Sequence, residues 1–218
     1  MFNVIRPTET PNTLTLGNDY KGEDVLNALK TCFHNKCYLC ETKEPHDINI
    51  EHFIPHEGDP HLKFDWNNLY LVCSRCNNIK LANHATLLDC CDQTQDVSTK
   101  IKILPPSSPY AKKMFIEPNT QDATVLNTAL LLDKIYNSEH TINKEVTGSF
   151  LRKKVFDEMI DLTIHMINYL KKDTLDEEKP IILLRIKKLT ESESPYSSIA
   201  KSQILEDECF SPLIFPPK

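Results

Sequence analysis

Two cysteine pairs share a tight C-x-x-C spacing, Cys37-Tyr38-Leu39-Cys40 and Cys73-Ser74-Arg75-Cys76. Each short spacing lets two thiolates turn toward one ion from a single knuckle, and two knuckles complete a tetrahedral sulfur shell. Such a shell suits Zn²⁺ and leaves no open position for chemistry, so the site it predicts is structural, with folding coupled to metal binding. The bland alternative is four buried structural thiols; two matched pairs favour the metal. The 32 residues between Cys40 and Cys73 exceed what a simple zinc ribbon needs, so something is held inside them. Cys32, Cys90, Cys91 and Cys209 form no second matched pattern and receive no function.

The segment between the knuckles carries Glu51-His52, and Asn77 follows the second knuckle directly. A carboxylate and an amide oxygen are hard ligands, appropriate to Mg²⁺ or Mn²⁺ with several waters retained. A histidine beside such an ion, titrating near neutrality, can take a proton from an attacking water. A metal and a base facing a phosphate are the apparatus of phosphodiester hydrolysis. An isolated Glu-His is also an ordinary strand end, and His34, His46, His56, His61, His84, His140 and His165 are read as structural by default. His56 and His61 are the exceptions to watch, since they lie in the loop that would face a substrate. Trp66 and Tyr70 could stack on bases, although packing behind the zinc knuckle is the expected role.

The elements that must position these residues are short. Ile48, Ile50 and Phe53 stand among polar neighbours, which predicts a strand ending at Pro55. Gly58-Asp59-Pro60 predicts a loop, residues 66–72 return toward the second knuckle, and residues 77–82 have helical composition. Strand, loop, strand or turn, then helix, clipped by zinc at both ends, would bring Glu51, His52 and Asn77 near a common point.

In this order, Cys-x-x-Cys, Glu-His-x-x-Pro, Asn-Leu and Cys-x-x-Cys-Asn-x-x-Lys resemble the zinc-stapled HNH endonucleases, over roughly residues 32–82. The resemblance implies an α+β protein with a ββα-metal nuclease core stapled by a four-cysteine zinc site. It implies Glu51 as acidic metal ligand, His52 as general base, and Asn68 as the residue that braces the loop and orients the histidine. It further implies Asn77 as the second catalytic-metal ligand and Lys80 as a cation near the substrate phosphate. Glu51 stands where Asp is commoner and Asn77 where His is common; both keep oxygen ligands. The expected reaction is metal-dependent cleavage of DNA to 5′-phosphate and 3′-hydroxyl ends, with RNA left open because nothing in the sequence reads a 2′-hydroxyl. The string Ile-Glu-His-Phe-x-Pro with Trp-x-Asn-Leu-x-Leu-x-Cys is more narrowly similar to the HNH subunit of Septu anti-phage systems and some retron operons, which works with an ABC-type ATPase. That subfamily usually has Arg-Pro-Lys after Glu-His-Phe, where this chain has Ile54-Pro55-His56. An inactive, zinc-organised adaptor is the competing reading.

Composition narrows the partners. Residues 1–110 hold 10 Lys+Arg against 14 Asp+Glu, and residues 111–218 hold 15 against 17. Neither half is a basic clamp, so phosphate contact must come from a metal, a partner or a local patch, with Arg75 and Lys80 the expected cations and His56 beside them. With 4 glycines and no glycine-rich phosphate loop, nucleotide binding has no support. No apolar run approaches the roughly 20 residues that cross a bilayer, and the first residues lack a signal-peptide pattern, so a cytoplasmic protein with no membrane contact is expected.

The expected division is a nuclease domain at 1–104, with an N-terminal helix and the knuckles, and a helical region at 105–218. Apolar spacing predicts helices at 122–136, 150–170, 174–189 (starting near 178 or broken at Pro180) and 197–208, with a short strand around 114–116. The basic residues on those helices read as solvated surface, with nucleic-acid or partner contact as the second reading. The proline-rich tail at 210–217 is expected not to be helical and is a candidate docking segment.

Overall fold

Residues 48–52 and 69–73 pair as the antiparallel hairpin on which the candidate site is mounted. The computed structural model describes residues 1–17, 19–81, 86–139 and 146–217; His84 and His140 fall outside them, as does residue 82 at the end of the helix-compatible stretch. The element order is α1 (Asn12–Thr15), α2 (Glu23–Cys32), β1 (Ile48–His52), α3 (Pro60–Lys63), β2 (Leu69–Cys73), α4 (Ser74–Lys80), β3 (Ile101–Leu104), β4 (Phe115–Pro118), α5 (Ala123–Asn137), α6 (Gly148–Leu170), α7 (Lys179–Leu189), α8 (Ser197–Leu205) and α9 (Phe210–Ile214). The protein is α+β, with two small antiparallel sheets and a helical C-terminal region.

β1 and β2 differ as their sequences require. Leu69-Tyr70-Leu71-Val72-Cys73 is buried along its whole length, whereas β1 buries only Glu51 fully. The register sets Glu51 opposite Tyr70 and His52 opposite Leu69. Cys73 has extended backbone and caps α4, so that helix begins inside the second knuckle, earlier than residue 77, and stops where Leu81 takes a φ of 39°. α4 packs on both strands, completing a ββα unit.

The C-terminal helices close over this unit. Tyr136 on α5 donates its hydroxyl to the Cys40 carbonyl at 2.8 Å, and the Tyr196 hydroxyl lies 3.1 Å from Thr42 Oγ1. One apolar core runs from Phe2 through Leu71 and Leu132 to Ile214. The division expected at 104 falls between β3 and its hairpin partner β4, where Ile103 pairs with Ile116. β3 leaves no mark in the sequence because four residues are too few for alternation to stand out, although Ile101 and Ile103 are buried.

Pro180 sits in the first turn of α7, where its missing N–H costs nothing. The tail is a correction: residues 210–214 are helical. Asp207 accepts the Cys209 and Phe210 amides at 2.9 Å each, and buried Phe210 packs edge-on to Tyr169 with ring centroids 5.4 Å apart. Pro212 is tolerated because it lies in the first turn. Among the described residues no helix is long and apolar enough to cross a membrane.

Candidate active site and metal centre

The four knuckle sulfurs, from Cys37, Cys40, Cys73 and Cys76, all lie within 4.8 Å of one another and are buried. Zn–S bonds of about 2.3 Å in a tetrahedron give sulfur–sulfur edges of about 3.8 Å. Cys40 Sγ and Cys73 Sγ are 3.8 Å apart, far beyond a disulfide and on the tetrahedral edge. Cys73 and Cys76 occupy the N-terminus of α4, whose dipole favours thiolates. Burial pushes the Cys37 and Cys76 thiols up, while hydrogen bonds from the other three sulfurs pull Cys40 down. Four such groups cannot all ionise in a dry pocket without a cation. The donor set therefore fits zinc.

Glu51 and His52 are neighbours on a strand and so face opposite ways. Glu51 turns inward and is 6% exposed. Its Oε1 accepts a hydrogen bond from the Tyr38 hydroxyl and lies 3.4 Å from Lys80 Nζ. Burial raises its pKa, and Lys80 and then the Tyr38 hydrogen bond oppose that rise. Its Oε2 accepts no hydrogen bond among the described residues, which leaves a hard oxygen free for a divalent ion.

His52 is half-buried. Its Nε2 lies 3.0 Å from the Lys63 carbonyl oxygen. A carbonyl only accepts, so Nε2 carries the proton and Nδ1 keeps the lone pair. Burial holds its pKa below the ordinary imidazole value; the Lys63 bond opposes this, and the charges of His56, Lys80 and Lys63 add to it. Tyr20 and His56 pack against the ring, with centroids 4.7 and 4.5 Å away.

Asn68 is buried at the turn before β2 and pins the loop that carries this arrangement. Its Oδ1 accepts the Ile54 amide at 2.7 Å, while Nδ2 donates to the carbonyls of Ile54 at 2.9 Å and Leu62 at 3.0 Å. Asn77 is half-buried, one turn before Lys80 on the same α4 face. No hydrogen bond joins its side chain to Glu51 or His52 among the described residues. His56 Nδ1 accepts the Gly58 amide at 3.1 Å, which leaves the proton on Nε2.

The two expected phosphate cations are committed elsewhere. Lys80 is 4% exposed and donates to the His52 and Phe53 carbonyls at 3.0 Å each, besides facing Glu51. Arg75 is 2% exposed; it donates to the Ile135 and Ser138 carbonyls at 2.8 Å and to Val146 at 2.9 Å, capping the end of α5. Neither presents a free charge to solvent. Trp66 and Tyr70 are buried, and Trp66 Nε1 donates to the Pro7 carbonyl at 3.2 Å, so neither ring is available to a base.

Residues 37–82 match the HNH endonuclease family. The HNH domain contains both knuckles, the hairpin and the whole of α4. Its relatives include the Septu protein PtuB of Bacillus thuringiensis, 36% identical over 75 residues, which are 33% of this chain and 29% of that protein. The Septu protein PtuB of Bacillus mycoides (strain KBAB4) is 33% identical over 94 residues, 36% of this chain and 32% of that protein. The chain thus spans under a third of the length of the curated relatives it matches. No solved structure matches it.

Three participants in the HNH domain's site went unmarked in the sequence. The Lys63 carbonyl is a backbone group and leaves no residue signal. Tyr20 comes from outside the domain. Tyr38 did have a signal: an aromatic ring beside a zinc ligand is a candidate for burial, and a buried phenol needs a partner.

Proposed function

We propose that the chain is a divalent-metal-dependent endonuclease that cleaves DNA in the cytoplasm as the nuclease effector of an anti-phage defence complex. The observation that carries the reading is His52, half-buried, held by one nitrogen on the Lys63 carbonyl and offering the other, next in sequence to a carboxylate with one free oxygen. Glu51 and Asn77 would hold Mg²⁺ or Mn²⁺, which when bound neutralises charge on the scissile phosphate and its leaving oxygen. His52 Nδ1 takes the proton of the attacking water. Asn68 keeps the 54–62 loop in place so that the Lys63 carbonyl holds the ring, and the Nε2–H of His56 would donate to a phosphate oxygen.

The burial of Arg75 and Lys80 supports a partner. With both halves of the chain net negative and these two cations spent on carbonyls, phosphate attraction at the site is weak. An ABC-type ATPase, the partner implied by the Septu resemblance, would supply the grip and license cutting, which also protects the host's own DNA.

The test is nicking of supercoiled plasmid by the purified chain in Mg²⁺ or Mn²⁺, alone and with the product of the neighbouring gene where that gene encodes an ABC-type ATPase. Divalent-dependent cleavage by wild type that His52→Ala abolishes is expected, strongest with the partner. Cleavage unchanged by His52→Ala would remove the assignment. Tight binding and fast cutting by the isolated chain at about 0.15 M salt, where charges are screened beyond ~8 Å, would remove the partner requirement.

A further inference from the structure

Tyr38 lies inside the first zinc knuckle, between Cys37 and Cys40, yet its hydroxyl reaches Glu51 on β1. The side chain is fully buried. Its backbone amide is fixed to the Leu71 carbonyl at 3.0 Å, and its ring packs edge-on to Tyr70 with centroids 5.0 Å apart. The phenol can therefore move only with the knuckle and β2. At its end, the hydroxyl donates to Glu51 Oε1, the same oxygen that faces Lys80 Nζ. Both donors converge on one carboxylate oxygen, and the other has no hydrogen-bond partner among the described residues.

We infer that Tyr38 is a positioning residue that ties the structural zinc knuckle to the catalytic-metal site by locking Glu51 so that Oε2 alone is offered to the divalent ion. The inference rests on Glu51 being a ligand of that ion. A carboxylate free to rotate would loosen its grip on the metal or turn both oxygens to Lys80. Held by Oε1, it is a one-oxygen ligand in a fixed direction, and remaining positions on the ion stay open to water and phosphate. The zinc knuckle then has a second role. Besides holding the fold together, it sets the angle of a ligand that zinc never touches.

The test measures Mn²⁺ binding by the full-length, zinc-loaded chain, using the electron paramagnetic resonance signal of free Mn²⁺. The variants are Tyr38→Phe, Glu51→Gln and the double variant. Tyr38→Phe removes one oxygen and keeps the ring, and zinc content and melting temperature report whether the fold is retained. Expected are one zinc per chain in every variant and a Mn²⁺ dissociation constant raised about 10- to 100-fold by Tyr38→Phe, as for other partners that orient metal ligands. In the Glu51→Gln background the same change should have under about a twofold effect, because Tyr38 acts only through that carboxylate. Equal Mn²⁺ affinity in wild type and Tyr38→Phe overturns the inference, as does an equal loss in both backgrounds. Loss of zinc from Tyr38→Phe also overturns it, since the hydroxyl would then serve the fold. If Glu51→Gln binds Mn²⁺ as wild type does, the metal-site reading itself fails, whatever Tyr38→Phe does.

Discussion

Asn68 grips Ile54 at both of its backbone polar groups, accepting the amide at 2.7 Å and donating to the carbonyl at 2.9 Å. A third bond to Leu62 at 3.0 Å brings in the far end of the loop, next to the residue whose carbonyl holds His52. Because Asn68 is buried, losing its amide strands groups that water cannot reach. Asn68→Ala should cost about 2–3 kcal/mol of stability, the scale of orphaned buried polar groups, and should lower kcat about tenfold or more by releasing the His52 ring. Chemical denaturation and plasmid nicking, measured on one preparation, check both. Asn68→Asp keeps an acceptor for the Ile54 amide but cannot donate, so it should recover only part of either loss.

The rate should depend on pH through His52. Burial lowers its pKa, so the neutral, proton-accepting form persists down to and below the usual imidazole value of about 6.5. As pH falls through the depressed value the base is lost, and the acidic limb of log kcat should lie below pH ~6.5. Removal of the base in His52→Ala should cost about 10²- to 10⁴-fold. An acidic limb centred above ~6.5 in wild type would show that another group, or a differently placed imidazole, controls the rate.

Local patterns carried much of this architecture into the sequence. The knuckle spacings give a sulfur cluster, and the apolar repeats of α5, α6 and α8 give helices at those places. The ββα unit is legible because each piece is short and bounded by Pro55, by Gly58-Asp59-Pro60 and by cysteines. What was not legible depends on distance in the chain. The commitment of Arg75 to Ile135, Ser138 and Val146 spans 60 residues or more, and a lone Arg beside a zinc ligand looks the same whether it meets a phosphate or three carbonyls. Lys80 is spent on Glu51, His52 and Phe53 for the same kind of reason. The helical tail at 210–214 hid behind its prolines, since its stabilisation comes from Asp207 capping and from Phe210 entering the core.

Arg75 separates a structural role from a substrate role. Its guanidinium joins the second knuckle to the end of α5, so Arg75→Ala should destabilise the chain by about 1–3 kcal/mol through the loss of three hydrogen bonds, one of them to the buried Ile135 carbonyl. Its effect on DNA affinity, measured by fluorescence anisotropy where the variant is still folded, should be under about twofold. The opposite pattern, normal stability with weakened and less salt-sensitive DNA binding, would mean that the side chain leaves its carbonyls to meet a phosphate.

Removing zinc should unfold more than the knuckles. Tyr136 and Tyr196 tie α5 and the start of α8 to residues 40–42, and the apolar core is continuous across them. A strong chelator should release about one zinc per chain and lower the melting temperature in a single transition that includes the helical signal. If the far-ultraviolet helical signal survives zinc loss unchanged, the C-terminal helices stand independently of the knuckles.

Acid stability should be set largely by Glu41, the residue after the last ligand of the first knuckle. Its backbone has a φ of 55°, and its carboxylate is fully buried among Lys36 Nζ at 3.3 Å, the Met1 amino group at 3.2 Å, and the hydroxyls of Ser197 and Ser198. Burial alone would raise its pKa, but Lys36, the Met1 amino group and Ser198 outweigh that and hold it at about 2. Burial pulls Lys36 down even so, which means that the carboxylate, with more donors around it, is the better satisfied partner. A carboxyl lowered from its unfolded value of 4.5 contributes stability that is fully present above that pH and is lost as pH falls toward 2. The difference corresponds to about 3 kcal/mol. Urea unfolding of wild type should therefore lose roughly that amount between pH 4.5 and 2, beyond the loss shared with other acids. Glu41→Gln should have already lost a similar amount at pH 7, because it leaves the Lys36 ammonium buried without a counter-charge, and its further decline below pH 4.5 should be shallower. A Glu41→Gln chain as stable as wild type at pH ~7 would show that the buried pair contributes nothing net and that acid sensitivity arises elsewhere.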